Sequence, residues 1–117
     1  LTNCNEEKVM TVYIVQEVRG RDISSASSFG NLEILLTSDQ VMKNYPVKEM
    51  DIFHNKLKNF NDSDFLLLSG DPVAIALASC IASANNKGRI KFLRWDRKME
   101  TYFKIGARVE EKPHERF

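Results

Sequence analysis

The sequence is poor in the residues that mark most specialised classes. Two cysteines, Cys4 and Cys80, in 117 residues make no disulfide framework, and no closely spaced Cys/His set offers metal ligands. Apolar runs such as Ala74 to Ala78 stay far short of the roughly 20 residues a membrane helix needs. There is no basic, apolar and small-residue succession of a signal peptide at the start, and no Arg-rich amphipathic transit pattern. Low-complexity sequence is confined to the serines between Ser24 and Ser28, and no segment repeats. Three prolines and five glycines are too few for a linker-built or fibrous chain. What is present is 43% hydrophobic and 28% charged residues, the composition of one small intracellular-type domain with a real core.

The net charge of +1 conceals an asymmetry. Residues 1–86 carry 7 basic against 11 acidic side chains, whereas residues 87–117 carry 10 against 5. A basic C-terminal quarter on an acidic body bears on partners rather than on fold. Residues 1–9 have no periodicity and are expected to be disordered. Met10 stands directly before Thr11-Val12-Tyr13-Ile14-Val15, so an over-extended reading frame with translation starting at Met10 is the expectation.

Hydrophobic patterning then predicts alternating strands and helices. Val9 to Val18 is rich in Val, Ile and Tyr and reads as a strand stopped by Arg19-Gly20-Arg21-Asp22. Asp22 can cap a short turn through Phe29, closed by Gly30, before a second strand at Leu32 to Leu36. Gln40 to Tyr45 is open between a helical turn and a loop. Pro46 suits a first helical position, and Val47, Met50, Phe53, Leu57 and Phe60 follow as one apolar stripe. Asp64 to Ser69 is continuously apolar, as in a strand covered on both faces. Asp71 and Pro72 open an alanine-rich helix in which Cys80 is expected to be a buried, inert thiol. Arg89 to Trp95 and Glu100 to Ile105 form a hairpin, and Gly106 to Phe117 a loose polar tail. The order β, short turn, β, α, β, α, β, β predicts a single α/β domain over residues 10–105. Its mixed sheet has a parallel β-α-β centre and a C-terminal antiparallel hairpin.

Three surfaces could carry function. The hairpin interleaves Arg89, Lys91, Arg94, Arg97, Lys98 and Lys104 with Phe92, Trp95, Tyr102 and Phe103, which is what single-stranded nucleic acid needs: charge for phosphates and rings for bases. Its outer strand could equally pair with a strand of another protein, or with a second copy as a homodimer. Ser69, Gly70 and Asp71 lie between a buried strand and a helix N-terminus, where Arg19 and Arg21 could join them around a phosphate ligand. Asp71 would repel such an anion, and no P-loop pattern is present. Catalytic chemistry is thinly provided: His54 and His114 have no nearby nucleophile in sequence. Asp62 and Asp64 precede a strand that Asp71 follows, about 20 Å away when extended, so they share no metal. Neither a cofactor nor a catalytic residue is expected.

The run from Phe65 to Ile75 and the strand Gly88-Arg89-Ile90-Lys91-Phe92-Leu93-Arg94-Trp95-Asp96 carry a likeness, together with Val12 to Gln16 and the Leu57 to Asp62 linker. Over roughly Met10 to Ile105 the chain resembles small hypothetical proteins of T7-like marine podoviruses. The resemblance implies a phage product acting in a bacterial cytoplasm and transfers no functional residue. A non-catalytic accessory protein that docks on a host or viral protein is the expected function. Single-strand binding and a phosphate-ligand site near Arg19 and Ser69 are the alternatives.

Overall fold

The computed structural model describes residues 9–109. Expectations for residues 1–8, for Cys4, and for the tail from residue 110 including His114 lie outside them. Five strands form one sheet: β1 (Thr11–Gln16), β2 (Asn31–Leu36), β3 (Phe65–Leu67), β4 (Arg89–Asp96) and β5 (Thr101–Arg108). They lie side by side in the order β2-β1-β3-β4-β5. The first four are parallel, and only β5 runs against its neighbour. The mixed α/β sheet with a parallel centre and an antiparallel hairpin is therefore as expected.

Two helices, α1 (Val47–Lys56) and α2 (Pro72–Asn85), cover one face. Against them the sheet packs Tyr13, Val15, Leu66 and Ile90. α2 meets the sheet through Ala74, Ala78, Ile81 and Ala82, and the small side chains of the three alanines let helix and sheet approach closely. Its start is as the sequence indicates: Asp71 accepts the Val73 amide at 2.7 Å, and Pro72 needs no acceptor. The other face holds Val12, Ile14, Phe65, Leu67, Leu93 and Tyr102. The short 3-10 helix Ser24–Phe29 packs over β1 and β2 on that side, burying Ala26.

Several local expectations shift. Pro46 precedes α1 instead of opening it. The helix ends at Lys56, so Leu57 and Phe60 reach the core from the turns that follow it. Val47, expected on the buried stripe, is exposed. Cys80 is exposed rather than buried, because the stripe through Ala74, Ala78 and Ile81 turns it outward. The hairpin also continues past Ile105: Gly106 pairs with Lys91 and Arg108 with Arg89. Gly106 reads as a strand breaker, yet on an outer strand it leaves its neighbour's ladder intact. Val109 then donates to the Gly88 carbonyl at 2.7 Å. A side chain on Gly88 would strike that Val109 carbonyl, 2.2 Å away.

Candidate nucleic-acid interface

The parallel strands end together near Gln16, Leu67 and Asp96, and the crevice between the β1 and β3 ends is where open α/β sheets commonly take ligands. Here it is filled by Gln16, a buried polar residue that sequence reading left without a role. Its Nε2 donates to the carbonyls of Gln40 at 2.7 Å and Thr37 at 3.2 Å, and its Oε1 accepts the Asp71 amide at 2.9 Å. Ser69 Oγ donates to the Gln16 carbonyl at 2.7 Å. Gly70, at φ +96°, sits so close that a Cβ there would lie 2.3 Å from Gln16 Cβ. The Ser69 hydroxyl and the Asp71 amide and carboxylate considered for an anion are thus engaged within the chain, and Gly70 is packed against Gln16. Arg21 is directed elsewhere, into a cavity that includes neither Ser69 nor Asp71. Arg19 lies near Asp39, whose carboxyl is held low chiefly by the Thr37 hydroxyl and its own amide, and in lesser part by that guanidinium.

Side-chain alternation along the hairpin sorts its charges by face. Lys91 Nζ stands 4.2 Å above the Phe65 ring, and Trp95 stacks edge-on with Tyr102 at 4.9 Å, so both belong to the face without α-helices. Arg89 shares that face by alternation. Across the ladder its partner Arg108 joins it, as do Lys104 opposite Leu93 and Gly106 opposite Lys91. On this side β4 and β5 carry four cations and no carboxylate. Among the described residues Lys91 and Lys104 have no acidic partner, whereas Arg89 Nε binds Asp62 Oδ1 at 3.0 Å. Arg94 is separated from the others: it lies opposite Phe103 on the helix-bearing side. Arg97 and Lys98 sit in the exposed connecting turn. Lys104 and Arg108 become visible as members of the face only once the register is known.

Two hollows flank this surface. One, of about 240 Å³, borders the amino end of β4 and includes Asn61, Asn86, Arg89, Lys91 and Arg108. The other, of about 330 Å³, lies at the opposite end among Arg21, Asp22, Ser25, Trp95 and Tyr102. Between Lys91 and Trp95 the strand runs about 13 Å. Burial pushes the Tyr102 phenol above its ordinary pKa, with Arg21 pulling it down and Asp22 pushing it up. Ser24, through its amide and then its hydroxyl, holds the Asp22 carboxyl below the usual carboxylate range.

Among the described residues no group of His, Cys, Asp and Glu is placed to hold a metal ion, and no helix is long and apolar enough to cross a membrane. The described residues make a small α/β domain with one face closed by helices and the other half open, and its sequence is that of a phage protein. Residues 10–109 match the Phage Pam3 gp32-like protein family, and the chain belongs to that family. No curated protein and no solved structure matches it.

Proposed function

We propose that the chain is a non-catalytic phage accessory protein of the host cytoplasm that binds single-stranded nucleic acid across the open face of β4 and β5. The observation that supports this reading is the company of Lys91, Lys104, Arg89 and Arg108 with Trp95 and Tyr102 on one side of the hairpin, whose two strands carry no carboxylate there, although Asp62 reaches Arg89 from the loop before β3. A flexible polyanion satisfies such a surface with phosphates, while its bases find the exposed indole. The test is fluorescence anisotropy of a labelled single-stranded oligonucleotide, titrated at several salt concentrations. Affinity falls steeply with salt, and replacing Lys91 and Lys104 by Glu lowers the slope of log K against log salt by about 1.4, at about 0.7 per phosphate contact. Arg94→Glu, on the other face, serves as the control and leaves the slope unchanged. Absence of binding at low salt, or an unchanged slope in the Lys91/Lys104 variant, overturns the proposal.

A second reading is favoured by β5 itself, an outer strand eight residues long with one backbone edge unpaired. A host or viral protein could add a strand there. Lys104 and Arg108 argue for an acidic segment and against a second copy, since two β5 strands side by side would oppose like charges. Nuclease-resistant binding of an acidic partner strand, lost when proline interrupts β5, is the result this reading requires.

A further inference from the structure

The hollow at the carboxyl end of the open face differs from the rest of that surface, because it carries the hairpin's exposed indole and a carboxylate together. Trp95 is 37% exposed and is braced from the side by the buried Tyr102 ring. Arg21 and Asp22 reach the same space from the loop after β1, and Ser25 from the 3-10 helix that follows it. At about 330 Å³ it has room for one base and little more. Loop and hairpin come together here although more than seventy residues separate them, so the sequence alone could not assemble the set.

We propose that this hollow is a base-reading pocket that takes a guanine of the bound strand, stacked on Trp95 with its amino edge against the Asp22 carboxylate. The inference rests on the strand-binding reading and adds specificity to it. Guanine presents two adjacent N–H donors, on the ring nitrogen and on the exocyclic amine, and a carboxylate accepts both. Thymine and uracil offer one ring N–H flanked by two carbonyl oxygens, which a carboxylate repels. Arg21 stands beside the pocket as a donor for the guanine carbonyl or a neighbouring phosphate. Asp22 keeps its place through the Ser24 amide, 2.9 Å from Oδ1.

The chain's one tryptophan lies in the pocket, so its fluorescence reports occupancy directly, while an end label on the oligonucleotide reports binding anywhere. Octathymidylate, and the same strand with one guanine or one hypoxanthine, are titrated against the full chain. Hypoxanthine is guanine without the exocyclic amine. The expected result is about tenfold tighter binding for guanine than for hypoxanthine or all-thymine strands, with quenching of Trp95, the discrimination typical of one well-formed bidentate contact. Asp22→Asn, which still accepts the Ser24 amide, removes the preference and keeps the salt-dependent binding of octathymidylate. Equal affinities for the three strands, or a preference that survives in Asp22→Asn, overturn the pocket and leave the open face standing. No anisotropy change with any strand overturns both.

Discussion

Gln16 is the residue whose loss should damage the fold most for its size. It closes the crevice between β1 and β3 with two donated hydrogen bonds and one accepted, tying the loops after β2 and β3 to the end of β1. Each such bond contributes about 1 kcal/mol net, and leaving a buried partner unmet costs more. Thr37 is exposed and Gln40 half-buried, so water can replace part of what their carbonyls lose. Gln16→Met, which keeps the volume and removes all three bonds, should therefore cost about 2–3 kcal/mol. Gln16→Ala adds the loss of buried side-chain atoms and a small cavity, for a total of about 3–4 kcal/mol. In a domain of this size that corresponds to a fall in Tm of about 10–20 °C. Urea unfolding followed by circular dichroism gives both numbers, and the difference between the two variants isolates the volume contribution. A Gln16→Met chain within about 0.5 kcal/mol of the wild type would refute the clamp, because bonds worth that little could not be holding the crevice closed.

Asp64 plays a related part at the opposite end of β1. It is buried and accepts the amides of Thr11 at 3.2 Å and Asn61 at 3.0 Å, so Asp64→Ala should cost about 2–3 kcal/mol in the same assay, with Asp64→Asn milder. Tyr13 is expected to set an alkaline limit: burial first, then Asp64 and Glu33, raise its phenol pKa in the folded chain. The unfolded chain therefore loses that proton first, and the stabilisation, complete below about pH 10, is lost as pH rises through the folded value. Melting curves between neutral pH and pH 11 should fall less steeply for Tyr13→Phe, and an identical fall in both chains would remove Tyr13 as the cause. Cys80, being exposed, should react with a thiol reagent in the native protein, and Cys80→Ser should lower native-state labelling by one thiol per chain with little change in Tm.

Sequence reading succeeds here where one element carries its own signal. The Asp71-Pro72 start of α2 is local chemistry, and so is the continuous apolar run of β3, which needs only to know that helices will cover the sheet. It fails where meaning depends on a distant partner. Nothing near Gln16 in sequence shows that it faces Gly70 and Asp71, more than fifty residues away. Arg94 looks equivalent to Arg89 and Lys91 until the ladder assigns it to the opposite face. Gly106 suggests an end to the hairpin, and taking it so hides Arg108, whose position follows from pairing with Arg89. Cys80 sits among alanines that look uniformly buried, and only the angular position of the sheet contact divides them.

The open face follows from the lengths of the connections. Strands about 4.8 Å apart put the axes of the outer two roughly 19 Å from each other. A helix with its side chains is about 10–12 Å wide, so α1 and α2 together suffice for the face they cover. Among the described residues the chain passes once over the reverse side, between β1 and β2, in a six-residue 3-10 helix. One such element shelters about two strands. The central residues Phe65, Leu67 and Leu93 are still buried, yet farther out the side chains change character from apolar to basic and aromatic. A face meant only to meet water would serve as well with mixed charges. Four cations gathered on β4 and β5, while the acidic side chains nearest them lie in loops at the sheet ends, are the feature on which the proposed binding of an extended polyanion rests.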